Sequence, residues 1–155
     1  MAGTLVLTLG ACSVTIPSDP DGTLDRVTDG TLRVGVSPNP PWTDLPGGPD
    51  ADPEGTEVRL VEDFAASIGA EVQWLPGGEE DLVGRLERGE LDLVVGGLTA
   101  RSPWSEKVAL TYRYTETTGP EGDKELHVMA APMGEHAFLV GLESFLLEAD
   151  VGVDR

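Results

Sequence analysis

The sequence predicts an α/β fold, a mostly parallel sheet flanked by helices, and three observations carry that prediction. Short apolar runs of strand length alternate with helical patterns through brief connections across residues 31–95, an order that right-handed crossovers turn into a parallel sheet covered on both faces. Glycines close the two helical patterns at Gly69 and Gly89, where a helix C-terminus tolerates a left-handed residue without steric cost. Towards the C-terminus, two extended runs flank a glycine-bearing turn, which adds an antiparallel strand pair.

The elements follow in chain order. Residues 13–30 are rich in Pro, Asp, Gly and Thr without sustained periodicity, so they are expected to form a flexible tether, with folded structure beginning near Thr31. Leu32-Arg33-Val34-Gly35-Val36 alternates and stops at Ser37-Pro38-Asn39-Pro40-Pro41, because proline has no N–H with which to extend a ladder. This is the first strand. Residues 46–54, with two glycines and two further prolines among acidic neighbours, are expected as an exposed loop after Pro46. Val58, Leu60, Val61, Phe64, Ala65 and Ile68 recur at helical spacing. Residues 71–75 form a short apolar strand, residues 79–88 place Leu82, Val83 and Leu86 on one helical face, and residues 91–95 read as a buried strand. Extended segments over 108–117 and 125–131 enclose the turn at 118–123, and Ala137, Phe138, Val140, Leu142, Phe145, Leu146 and Ala149 give a last helix with an apolar face.

A chain of 155 residues with 39% hydrophobic content is expected to form one domain with one core of useful size. The 28 acidic against 10 basic residues leave a net charge of −18, which repels phosphate backbones and argues against a nucleic-acid partner. Cys12 is the single cysteine, so an internal disulfide is excluded. It follows an apolar run over residues 5–11 that ends in the small residues Gly10 and Ala11, and this string resembles a bacterial lipobox. The resemblance implies a signal peptide over residues 1–12, lipidation of Cys12 and attachment to the outer face of a membrane. Met1-Ala2-Gly3 departs from it by carrying no Lys or Arg; the alternative is a chance apolar start on a cytosolic protein. No other stretch approaches the roughly 18 residues that a membrane-spanning helix needs.

Four strings, in matching order and spacing, resemble landmarks of the bacterial extracellular solute-binding proteins of the amino-acid type, family 3, which deliver ligand to ABC-type importers. They are Leu32-Arg33-Val34-Gly35-Val36 with Pro40-Pro41-Trp42; Gly55-Thr56-Glu57-Val58-Arg59-Leu60; Gly89 through Thr99; and Glu106-Lys107-Val108-Ala109-Leu110-Thr111. A fifth, from His127 to Leu139, resembles the family's closing strand and helix. The resemblance implies the type 2 periplasmic-binding-protein fold. Family members insert a second lobe between an outgoing and a returning hinge strand, whereas here only residues 118–123 lie between them. The expectation is therefore a single lobe over residues 31–150, closed by an antiparallel hinge-strand pair.

In open α/β sheets ligands bind beyond the carboxyl ends of the strands. By resemblance, Trp42 after the first strand stacks on a ligand or shields it; its alternative is packing under the 46–53 loop. Gly97 permits close backbone approach, and the Thr99 hydroxyl with its N–H can hold a carboxylate. The arginine that the family places five residues beyond this threonine is replaced by Trp104, and Arg101 is a candidate substitute or a solvated surface residue. Glu57 and Glu79 could attract a cationic ligand, or could simply favour the starts of their helices. His127 and His136 lack a second ligand at metal spacing. No nucleophile elbow, phosphate loop or cofactor motif is present in the sequence.

These residues point to a non-enzymatic, lipid-anchored protein that binds a small amino-acid-like ligand weakly on one wall, for an ABC permease or a sensor. The alternative is an interaction module whose former cleft face, with Trp42 and Trp104 as anchors, docks a membrane protein or a second copy in a homodimer.

Overall fold

The computed structural model describes residues 19–149 and 151, so the expected lipobox and residues 13–18 of the expected tether lie outside the described residues. The elements are α1 (Thr23–Val27), β1 (Thr31–Val36), α2 (Thr56–Ser67), β2 (Glu71–Pro76), α3 (Glu79–Glu87), β3 (Leu93–Val95), a 3-10 turn (Pro103–Glu106), β4 (Ala109–Leu110), β5 (Thr115–Thr118), β6 (Lys124–His127), β7 (Ala130–Ala131) and α4 (His136–Glu148).

Five strands form one sheet in the order β2-β1-β3-β7-β4, and β5 with β6 forms a separate two-stranded pair. The long ladder is parallel, from Thr31 opposite Glu71 to Val36 opposite Pro76, and β3 joins the other edge of β1 in parallel. The returning strand β7 is antiparallel to both β3 and β4. Alternation along the strands sorts the core into two layers. Leu32, Val34, Val36, Leu93 and Val95 face Val61 and Phe64 of α2 and Phe138 and Leu142 of α4. Val94 faces the opposite way, towards Leu82, Val83 and Leu86 of α3. Gly35 leaves room for this layer: a Cβ there would stand 2.9 Å from Leu91 and 3.0 Å from Leu82 of α3.

The tether expectation is corrected over residues 19–30. Instead of loose chain, this segment contains α1, whose Val27 is fully buried in the α2–α4 core layer. Five residues are too short to show a period, and what holds them is tertiary. Glu135 accepts the N–H groups of Asp21 and Thr23 at 3.0 Å each, and Asp19 accepts that of Leu24 at 2.9 Å. Buried Asp92 binds Arg26 at 2.6 Å and Arg33 at 2.7 Å, tying α1 to the sheet. Burial pushes the Asp92 carboxyl up, but the two guanidinium groups and the Arg33 N–H outweigh it and hold the group below the usual range.

The expected extended run over 108–117 breaks in two. Thr111 continues beside Met129, donating its N–H to the Met129 carbonyl at 2.9 Å, and Tyr114 then donates to His127 at 3.1 Å. The chain has by then passed from the large sheet into the small one. β5 pairs with β6 from Thr115 opposite His127 to Thr118 opposite Lys124, and Gly119 closes the turn by donating to Asp123 at 2.8 Å. The outgoing and returning segments are therefore direct neighbours.

Candidate functional site

The carboxyl ends of β1 and β3 run into the two loops that the sequence marks. After β1, the Asn39 side chain donates to the Gly96 carbonyl at 2.9 Å, and the Thr43 hydroxyl donates to the Ser37 carbonyl at 2.5 Å. These bonds fix the loop that carries Trp42. Its ring lies against His127, centroids 3.9 Å apart and tilted by 32°, with Tyr114 edge-on at 6.4 Å. Gly97 makes this possible: its φ is +65°, and a Cβ there would come within 2.7 Å of the Trp42 ring.

Glu57 is corrected as a candidate for attracting a cationic ligand, because it is fully buried and its oxygens are engaged within the protein. One oxygen accepts the N–H groups of Gly96 and Gly97 at 2.9 and 2.8 Å, and the other accepts the Tyr114 hydroxyl at 2.5 Å. Burial pushes its carboxyl up, partly offset by the Gly97 amide, the Tyr114 hydroxyl and the Gly96 amide. Burial and the adjacent Glu57 charge push the Tyr114 phenol up in turn. Glu57 thus locks α2 to the end of β3.

Thr99 stands opposite His127 in an isolated antiparallel bridge. The flanking bonds run from Ala100 N–H to Leu126 at 2.8 Å and from Val128 N–H to Leu98 at 3.0 Å, so the Thr99 N–H and carbonyl turn away from β6. The carbonyl accepts the Ser102 N–H at 2.8 Å. The N–H and the hydroxyl have no hydrogen-bond partner among the described residues. Thr99 and Arg101 line an open hollow of about 420 Å³ together with Arg113, Glu116, Lys124 and Leu126.

Arg101 is largely exposed and pairs with Asp123 at 2.5 Å. Trp104 and Glu79, both candidates for the ligand site, bind each other instead: the indole N–H donates to the Glu79 carboxylate, and Lys107 sits 5.9 Å from the Trp104 ring. They join the turn after β3 to α3, away from the hollow's lining. Sequence reasoning did not single out Tyr114, Arg113 or Asn39, and noted of His127 only that it lacks a second ligand at metal spacing. His127 is buried, its Nε2 lies 2.9 Å from the Thr117 hydroxyl, and its Nδ1 has no partner among the described residues. Burial holds its imidazole below the ordinary value, against the opposing pull of Glu125. The strand alternation around 125–131 was the one signal that could have placed it inward.

A parallel sheet wound with helices, loops gathered at the strand ends, and an antiparallel pair that carries the chain out and straight back define one lobe of a type 2 periplasmic-binding fold. The chain belongs to the bacterial extracellular solute-binding proteins, family 3, whose model matches residues 32–121. Among solved structures it is similar to the arginine-bound form of domain 1 from TmArgBP, at 24% identity and TM-score 0.67, covering 77% of this chain and 94% of that one. An ancestral amino-acid-binding protein described as a precursor of cyclohexadienyl dehydratase matches at 16% identity and TM-score 0.69, over 81% of this chain and 92% of that one. A periplasmic binding protein of high arginine specificity from Salmonella typhimurium matches at 10% identity and TM-score 0.65, over 76% and 92%. Comparison with curated protein sequences finds no match.

Proposed function

We propose that this chain is a one-lobed solute-binding protein that holds a small amino-acid-like ligand at the strand ends, on the extracytoplasmic side of a membrane, without transforming it. The observation that carries the reading is the unpartnered N–H and hydroxyl of Thr99 at the wall of an open hollow. Two donors of this kind beside a glycine-rich strand end suit a carboxylate. The similar TmArgBP structure is an arginine-bound form of domain 1, which supports binding by a single lobe of this fold. Non-enzymatic action is supported by Glu57, a buried carboxylate at the strand ends whose oxygens already accept three donors. Trp42 and Trp104 are both occupied within their own chain, which favours ligand binding over the docking of a partner. The proposal extends to a lipid on Cys12, a tether from Ser13 to the folded body, and delivery to an ABC permease or a sensor, in line with the family's extracellular setting.

Binding should be weak, because a single wall leaves one face of the ligand wet where a closing clamshell removes most of its surface from water. A dissociation constant in the millimolar range is expected. Titration of the standard amino acids by ligand-observed NMR tests this, with Thr99→Ala as the control that removes the hydroxyl. Binding of at least one amino acid, weakened in the variant, supports the reading; no binding at millimolar concentration overturns it, and a micromolar ligand overturns its weakness.

A further inference from the structure

We propose that Arg113, on the outgoing hinge segment, is the residue that recognises the ligand's carboxylate, and that the ligand class is a solute with one carboxylate and a neutral or cationic remainder. This rests on the solute-binding reading of the hollow at Thr99. Position 104, where the family resemblance looks for a carboxylate-binding arginine, carries a tryptophan whose indole is committed to Glu79. Arg101, the nearest substitute, is committed to Asp123 at 2.5 Å. Lys124, a third cation in the lining, is committed to Glu116 at 2.7 Å.

Arg113 differs from all of these. It lines the same hollow as Thr99, and neither an ion pair nor a side-chain hydrogen bond engages its guanidinium among the described residues. In a chain with 28 acidic residues to 10 basic ones, a cation outside any ion pair is unusual; Glu116 feels the Arg113 charge but is itself bound to Lys124. Every other described basic side chain is ion-paired except Arg59, which is exposed on α2. The Arg113 guanidinium lies 5.4 Å from the centroid of the Tyr112 ring, a stacking contact that restrains a planar fork without using up its N–H donors. A fork of this kind can take both oxygens of a carboxylate. On another part of the same lining, the Thr99 N–H and hydroxyl supply further donors. Glu116 and Glu125 also line the hollow, so a second negative charge on the ligand would be repelled, and a glutamine-like solute should bind ahead of a glutamate-like one.

Ligand-observed NMR titration of the full chain with the standard amino acids, and with the amine that lacks the carboxylate of the tightest binder, tests the assignment in wild type, Arg113→Gln, Arg113→Lys and Thr99→Ala. The expected result is a fivefold to tenfold loss of affinity, an order-of-magnitude figure for a charge-assisted contact at a partly wet site, for the amino acid in Arg113→Gln. The same variant should bind the amine unchanged, and Arg113→Lys should recover part of the loss. Because the side chain is exposed, the thermal midpoint should stay put. An amino acid that loses affinity in Thr99→Ala but not in Arg113→Gln would overturn the role of Arg113 and leave the solute-binding reading standing. Equal loss for amino acid and amine in Arg113→Gln would also overturn it. A wild type that binds none of the amino acids overturns both.

Discussion

Replacing Glu57 by alanine strips three donors of their acceptor at once: the Gly96 and Gly97 amides and the Tyr114 hydroxyl, at 2.9, 2.8 and 2.5 Å. Each hydrogen bond to a charged group contributes about 1.5 kcal/mol or more, giving a gross loss of roughly 4 to 5 kcal/mol. Part is returned, because the buried carboxylate no longer has to be kept out of water, a cost visible in its raised pKa. The net loss should be about 3 kcal/mol, a substantial share of the 5 to 15 kcal/mol typical of a domain this size. It corresponds to a fall of roughly 10 °C in thermal midpoint. Glu57→Gln keeps an oxygen for the two amides but turns an NH₂ group towards the Tyr114 hydroxyl, so it should cost less, about 1 kcal/mol. Urea unfolding followed by tryptophan fluorescence and by far-ultraviolet circular dichroism reads both variants. A loss below about 1 kcal/mol in the alanine variant, or a glutamine variant less stable than the alanine one, would refute the claim that this carboxylate joins α2 to the end of β3.

Three further outcomes follow from the same geometry. Asp92→Asn should destabilise the lobe by about 2 kcal/mol, a figure reduced for the partial exposure of Arg26 and Arg33, and should increase hydrogen exchange in α1 before the rest; uniform exchange would contradict the tie between α1 and the sheet. Because His127 has a folded pKa below its ordinary 6.5, the unfolded chain binds more protons in the window between the two values. Its contribution to stability is therefore full above 6.5 and declines as pH falls through that window. Denaturation midpoints between about pH 7.5 and pH 5 should drop more in wild type than in His127→Gln, and equal slopes would count against a buried neutral imidazole. Gly97→Ala forces a side chain onto a φ of +65° and against Trp42 and Asn39, so it should cost about 1 to 3 kcal/mol and shift the tryptophan emission; a silent substitution would show that the Trp42 loop is not held there.

Where polar groups are satisfied could not be read from the sequence. Thr99 was marked by its place after an apolar strand, but that its N–H turns away from β6 follows from the bonds on either side of it, made to Leu126 and Val128. Trp104 and Glu79 each looked available until the fold brought them together across 25 residues of chain. Arg113 carried no local signal, since a lone arginine in an extended run has no period to betray it. Asp92 passed unnoticed inside an apolar strand, and its two arginines lie 66 and 59 residues away.

The sequence by itself determined the elements and their layering. Apolar side chains at periods of two and 3.6 residues report burial locally, which fixed β1, α2, β2, α3 and α4, and the glycine-bearing turn at 118–123 fixed the strand pair that replaces a second lobe. The tertiary structure decided the rest: that α1 belongs to the folded body, that Glu57 is an internal tie, and which cation faces the hollow unpaired. Hydrophobic burial is non-directional and leaves a repeating trace in the chain. A hydrogen bond or ion pair needs one particular partner at about 3 Å, and only the folded chain selects it.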